Sequence, residues 1–171
     1  MTIYPTIAQR AEALATQFAT LNREVITFVE QCPTDLWQQF CYNDHRSMAV
    51  VAHHIATSHA MLAGLVGLIA QGQPLPPITM ELLDQANAQH AQQFAHCTQT
   101  EVAALLRANG AAAATQVNQL SDQQLDRSTY IALFGADMNT QQVIEQVLIG
   151  HASSHLADLR ATLGASRESA E

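Results

Sequence analysis

The N-terminal part of the chain carries hydrophobic residues at alternating steps of four and three. These residues are Ile7, Ala11, Leu14, Phe18, Leu21, Val25 and Phe28. Because an α-helix has about 3.6 residues per turn, this spacing places all seven on one stripe. The pattern predicts an amphipathic helix from about Thr6 to Glu30. Pro5 is tolerated at a helix start, and Pro33 marks the end.

A second helix is predicted over residues 47–70. Ser47 is a favourable N-cap, and the apolar positions behind it repeat with helical spacing. Residues 71–78 contain one glycine and three prolines. This stretch must interrupt the helix, because proline lacks the amide hydrogen that a helix needs.

Two further helical stretches occupy the rest of the chain. The first covers residues 79–120, where Thr98 and Glu101 resemble a capping box, so it is either two helices or one kinked helix. The second begins near Asn139 and ends near Gly164. Four amphipathic segments without strand-like alternation predict an all-α fold, an antiparallel four-helix bundle.

The remaining segments are predicted to be connections. Residues 33–46 and 126–138 show neither period and are expected to be loops, and Ser121–Gln124 is expected to begin one short turn. The polar tail, about residues 165–171, is expected to be disordered. Only residues 71–78 have the composition of a linker, so the sequence predicts a single domain over residues 1–171.

Composition and charge exclude several functions. Hydrophobic residues make up 48% of the chain, and the formal net charge is −8. All seven basic residues are arginines, spread along the sequence. Nucleic acids need a dense cationic surface, so no nucleic-acid partner is expected. The longest apolar stretch, Met61–Ala70, contains two glycines and is too short to span a bilayer. With no signal peptide evident, a cytoplasmic protein without a membrane partner is expected.

His151 and His155 interrupt the apolar stripe of the last predicted helix, which contains Ile144, Val147, Leu148, Leu159 and Leu163. Residues four apart project from the same side of a helix, so both imidazoles can reach one ion. On the second helix, His54 lies in line with the large apolar residues and is predicted to point inward. His53 is predicted to lie on the neighbouring side, and His59 at the surface.

His54, His151 and His155 form a set of three nitrogen ligands. Such a set leaves a coordination position open, as in catalytic rather than structural metal sites. The other interpretation of the spacing is that these imidazoles are core residues satisfied by hydrogen bonds. Spacing alone leaves both interpretations open.

The segments VVAHHIATSHAML and QVLIGHASSHLADLRATLG resemble the DinB/YfiT-like superfamily of metalloenzymes. In that family a histidine of the second helix joins an HxxxH motif of the last helix, and here these positions are His54, His151 and His155. The resemblance implies an up-down-down-up four-helix bundle, often a homodimer, with a divalent metal ion, commonly nickel or zinc. It also implies a low-molecular-weight thiol such as bacillithiol as co-substrate. Family members often carry a tryptophan near the cap of the second helix, whereas Trp37 lies ten residues before Ser47.

Several other residues have side chains suited to supporting roles at such a site. His90 is expected to be a partly buried structural residue or a further ligand, and His45 and His96 are expected to be solvated. Asp158 is expected either to bind a ligand imidazole or to be exposed and paired with an arginine. Asp44 and Glu101 are candidates for a general base. Three cysteines without a CxxC motif are expected to be small buried residues: Cys32, Cys41 and Cys97. Four loop aromatics are expected to line a pocket or to cap the core: Phe40, Tyr42, Tyr130 and Phe134.

Three functions are consistent with these features. The first is a metal-dependent enzyme, either an S-transferase that adds a thiol to a small electrophile or a metal-dependent hydrolase. The second is a non-enzymatic protein that binds a metal or a ligand. The third is an interaction module in which hydrogen bonds satisfy the histidines and no stoichiometric metal is present.

Overall fold

The computed structural model describes residues 7–168, and over this range the chain is mostly helical. The all-α class is thereby confirmed. The helices are α1 (Ile7–Gln31), α2 (Met48–Gln71), α3 (Met80–Gln93), α4 (Gln99–Asn118), α5 (Asp122–Leu125), α6 (Thr140–Gln142) and α7 (Gly150–Glu168). A π-helical segment, Val143–Ile149, joins α6 to α7, and a hairpin of β1 (Ser128–Ile131) and β2 (Ala136–Asn139) precedes α6.

The first two long helices follow the predicted limits. The predicted stripe of α1 is buried at Phe18 and Val25, whereas Thr6 and Pro5 lie outside the described residues. The Ser47 hydroxyl accepts a hydrogen bond from the Val50 amide at the start of α2. Gly72 ends α2 with a φ of +68°, a left-handed conformation that glycine adopts without steric cost.

Residues 79–120 were predicted to be either two helices or one kinked helix, and the structure shows two helices, α3 and α4. Thr98 and Glu101 form a complete capping box at the start of α4. The last helix also begins with a capping box, from Asn139 and Gln142. It continues past the predicted end at Gly164, so residues 165–168 are helical, and residues 169–171 lie outside the description.

The prediction that residues 126–138 form a loop is wrong. Ser128 pairs with Asn139 and Ile131 with Ala136 in an antiparallel hairpin. Each strand has four residues, which gives two positions per face and too few for a recognisable alternation. Gly135 lies in the connection with a φ of +62°.

The directions of the long helices follow from their side-chain contacts. Gln99 of α4 donates to Val29 and Asn22 of α1 donates to Leu106, so α1 and α4 run in opposite directions. Between α2 and α4, Asn109 donates to Ala56 and Gln116 to Ala63. Residue numbers rise together along these two helices, which are therefore parallel.

Helix α2 is long and apolar enough to cross a membrane by length and composition. However, 67% of the most apolar 18-residue stretch of α2 is buried inside the protein. Its side chains contribute to two apolar clusters, one of which contains Val66 and Ile69 and the other Met48 and Ile55. The helix therefore has the burial of a core helix in a soluble domain.

Candidate metal centre

His54, His151 and His155 converge at one place between α2 and α7. One ring nitrogen from each lies within 4.8 Å of the others, and the ring centroids are 4.6–5.1 Å apart. The Nε2 atoms of His54 and His151 are 3.0 Å apart. Two imidazole nitrogens on one tetrahedral ion are separated by roughly 3.3 Å, because each metal–nitrogen bond is about 2.0–2.1 Å long.

The π-helical segment sets the direction in which His151 and His155 point. A uniform α-helix would continue the buried line of Ile144 and Leu148 onto these two histidines. A π turn holds about one more residue, so the buried line continues instead on Ala152, Leu156 and Leu159. The histidines therefore lie beside the core stripe, half-buried, and the prediction that they interrupt it is wrong in this detail.

The tandem histidines of α2 have the opposite burial from the one predicted. His53 is the buried residue, with 4% of its surface exposed, whereas His54 is half-buried. The ring of Phe94, where α3 ends, stacks on His53 at a centroid distance of 3.9 Å. The His90 Nε2 atom lies 2.8 Å from His53 Nδ1. The C-terminal end of α3 therefore covers His53, and His90 of α3 is half-buried beside it.

His59 is fully buried, so the prediction that it lies at the surface is wrong. Its Nε2 atom lies 3.0 Å from Asn22 Oδ1, and its ring packs edge-on against Phe18. Asn22 in turn donates from Nδ2 to the Leu106 carbonyl. Because the amide oxygen of Asn22 can only accept, His59 Nε2 is the donor, and the neutral ring is protonated there.

The candidate acids and bases fall in different places. Asp44 Oδ2 lies 3.5 Å from His155 Nδ1, and Arg46 donates two hydrogen bonds to the Asp44 carboxylate. Asp158 is partly exposed and accepts from Asn43 at 3.0 Å. Glu101 serves the capping box of α4.

The predicted solvent exposure of His45 and His96 is confirmed.

The histidines of the centre are held neutral. Burial lowers the pKa of His54 to about 3 and that of His151 to about 4, and the neighbouring imidazoles and Arg46 add to both shifts. Burial also lowers the pKa of His155, although Asp44 opposes the shift. For Asp44, burial favours the neutral acid, but the hydrogen bonds and charge of Arg46 outweigh it and lower the pKa. Neutral imidazole is the form that binds metal ions.

A cleft of about 680 Å³ opens beside His151 and His155. Phe134 and Met138 of the hairpin form one wall, and Val147 and Gln146 of the π-helical segment form another. Of the loop aromatics, Phe134 therefore lines a pocket, whereas Phe40 and Tyr42 are largely exposed. The sequence signals that could have indicated this cleft are Gly135 and the hydrophobic residues flanking it.

The predicted burial of the cysteines is confirmed. All three are buried and none forms a disulfide: Cys32, Cys41 and Cys97. Burial raises the pKa of the Cys41 and Cys97 thiols to about 11. Neither thiol is therefore suited to act as a nucleophile near neutral pH.

The three histidines fit a divalent cation. Neutral imidazole is a ligand for several divalent transition-metal ions, among them zinc, copper, iron and nickel. The Nδ1 atoms of His151 and His155 are buried and make no hydrogen bond within the described part of the chain. A divalent ion held by three protein donors would keep a coordination position for water or a substrate.

The buried neutral histidines make the metal-free protein sensitive to acid. Burial lowers the pKa of His59 to about 4, from an ordinary value of 6.5. Between these values the unfolded chain binds a proton that the folded chain does not, so the free energy of unfolding falls as pH falls. His59 alone should contribute on the order of 3 kcal/mol. Urea titrations at several pH values in the presence of a chelator measure this, and equal stability at pH 7 and pH 5 would contradict it.

Comparison with known proteins identifies a fold relative. The sequence matches no protein-family model and no curated protein. The structure resembles the crystal structure of a histidine-to-alanine mutant of mycothiol-dependent maleylpyruvate isomerase, with a TM-score of 0.67 and 12% sequence identity. The alignment covers 93% of this chain and 63% of that chain. At this identity the likeness shows a shared fold, and this chain corresponds to about two thirds of that protein.

Proposed function

We propose that His54, His151 and His155 bind one divalent metal ion, nickel or zinc. The observation that carries this proposal is the convergence of three neutral, half-buried imidazoles within 4.8 Å. The low pKa values of His54 and His151 keep their ring nitrogens free to bind a cation at neutral pH. The cleft beside the site provides access for a second molecule.

We further propose that the protein is an enzyme that uses a low-molecular-weight thiol, most simply an S-transferase acting on a small electrophile. The support is a fold shared with an enzyme that depends on mycothiol, combined with a three-histidine site next to a cleft. When bound, the ion supplies Lewis-acid chemistry, which lowers the pKa of a thiol or of water.

The residues of the chain divide the remaining work. Phe134, Met138 and Val147 offer an apolar surface for the electrophile. His151 and His155 line the same cleft, so a bound electrophile would lie close to the metal site. Asp137 and Gln146 place polar groups on the rim of the same cleft. This arrangement orients two small reactants against each other, which removes much of the entropic barrier of a bimolecular reaction.

The family resemblance extends the proposal to architecture and cellular context. A DinB/YfiT-like up-down-down-up bundle is supported by the antiparallel contacts of α1 with α4 and the parallel contacts of α2 with α4. A single domain over residues 1–171, a homodimer and a cytoplasmic location complete this proposal. The acidic net charge of −8 supports the absence of a nucleic-acid partner.

The proposal is tested on untagged protein loaded with zinc or nickel. We expect one ion per chain by elemental analysis, and metal-dependent conjugation of bacillithiol, mycothiol or glutathione to 1-chloro-2,4-dinitrobenzene. In this reaction a carbon–sulfur bond forms, chloride leaves and the thiol proton passes to solvent. The chelated protein serves as the control for the uncatalysed rate.

The possible outcomes separate the alternatives. Metal-dependent turnover of a model ester without any thiol would replace the transferase by a hydrolase. Stoichiometric metal without turnover of any substrate would leave a binding protein. Protein that takes up no metal would overturn the proposal and favour an interaction module with hydrogen-bonded histidines.

A further inference from the structure

The loop before α2 lies along the face of α7 that carries His155. Successive loop residues meet α7 positions about one turn apart. The contacts are Tyr42 N to Thr162 Oγ1 at 3.2 Å, Asn43 Nδ2 to Asp158 Oδ1 at 3.0 Å, and Asp44 Oδ2 to His155 Nδ1 at 3.5 Å. The loop therefore runs antiparallel to α7 and ends at the candidate metal centre.

The loop is built to hold the Asp44 carboxylate in place. The Cys41 amide donates to the Arg46 carbonyl at 2.8 Å, and the His45 amide donates to the Cys41 carbonyl at 3.3 Å. His45 has a φ of +59°, which turns the chain sharply between Asp44 and Arg46. Both Arg46 hydrogen bonds then reach the two oxygens of the Asp44 carboxylate, which is only 9% exposed.

The Asp44 carboxylate lies next to a ring nitrogen of His155 that has no hydrogen-bond partner in the part of the chain that the structure describes. Nδ1 of His155 is buried and makes no hydrogen bond within the described residues, while Asp44 Oδ2 lies 3.5 Å away. This distance is slightly too long for a hydrogen bond, and a ring shift of about 0.5 Å would make it an ordinary one. A carboxylate can only accept, so it favours the proton on Nδ1 and leaves the Nε2 lone pair free.

We propose that Asp44, held by Arg46, is a positioning residue for the candidate metal centre, and that it fixes the tautomer and ring orientation of His155. The expected effect of Asp44 on metal affinity rests on the proposed metal site, whereas its effect on the tautomer of His155 does not. Such outer partners of a ligand histidine typically change metal affinity by roughly 10–100-fold.

The first test measures the tautomer of His155 in metal-free protein by ¹⁵N NMR, with the resonance assigned through H155A. In the wild-type protein we expect the proton on Nδ1. In D44A the proton should redistribute toward Nε2, because the acceptor is gone. An unchanged tautomer in D44A would overturn the proposal whether or not the protein binds metal.

The second test measures zinc affinity by competition with a chromophoric chelator. We expect D44A to weaken binding by roughly 10–100-fold. The matched control is N43A, which removes the contact of the same loop with Asp158 but keeps the Asp158 charge that acts on His155, and it should bind within about twofold of wild type. D44N keeps the shape and one acceptor without the charge, so it should give an intermediate loss and serves if D44A does not fold.

The outcomes keep the two proposals separate. Wild-type protein that takes up no zinc would overturn the metal site. The tautomer measurement would then be the only test of whether Asp44 positions His155. Wild-type protein that binds zinc while D44A and D44N bind it equally well would overturn the positioning role and leave the metal site standing. Equal losses in D44A and N43A would also overturn it, because the loop as a whole would then be responsible.

Discussion

The variant H151A is expected to lose tight metal binding. His151 is one of the three histidines of the proposed site, and its Nε2 atom lies 3.0 Å from that of His54. Loss of a partner outside the ligand set typically costs roughly 10–100-fold in affinity, so loss of a ligand should exceed about 100-fold. Elemental analysis after dialysis and chelator competition measure the loss. H54A and H155A should behave in the same way.

The control for this series is H96A. His96 is exposed and distant in sequence from all three histidines, so its removal should leave one ion per chain. The thermal unfolding midpoint of each metal-free variant shows whether the fold is retained. A folded H151A protein that still binds metal as tightly as wild type would remove the basis of the proposed site.

The variant G110A is expected to be strongly destabilised. A Cβ atom at this position would lie 2.0 Å from Asn22 Nδ2 and 2.6 Å from Asn22 Cγ. Asn22 cannot move aside without breaking its bonds to Leu106 and His59, which would leave buried polar groups unpaired. Overpacking and lost hydrogen bonds together should lower the free energy of unfolding by about 3–5 kcal/mol.

The matched control is G64A. Gly64 is also within a long helix, but a Cβ atom there meets nothing within 4 Å. Alanine should therefore stabilise the helix by about 0.5–1 kcal/mol. Urea denaturation of both variants at neutral pH gives the comparison. A G110A protein as stable as G64A would show that the Asn22–His59 network does not depend on the close approach of α1 and α4.

Local patterns were sufficient for the long helices and for most of their ends, although the last helix continues past the predicted end at Gly164. The stripe from Phe18 to Val25 and the caps at Ser47, Thr98 and Asn139 depend on residues within one or two turns of each other. Such signals are complete in the sequence. The structure also brings His54, His151 and His155 into one group, although the sequence selected His54 over His53 by a burial that the structure reverses. Their role as metal ligands remains a prediction.

Burial of individual histidines could not be predicted in the same way. His53 is covered by Phe94, and His59 is buried by Phe18 and Asn22 of α1. All three of these neighbours lie far away in sequence. A helical wheel of α2 shows which side a residue occupies but not which element covers that side. The approximately uniform apolar character of α2 made the two sides difficult to distinguish.

The sequence alone therefore determined the elements: four long amphipathic helices, their caps, and an HxxxH motif able to meet a histidine from another helix. The tertiary structure decided what surrounds them. The π-helical segment moved His151 and His155 beside the core stripe, the hairpin formed a cleft, and the loop at Asp44 came to rest against His155. The reason is physical: helix formation depends on neighbours three or four residues apart, whereas the environment of a side chain depends on residues that are tens of positions or more away in sequence.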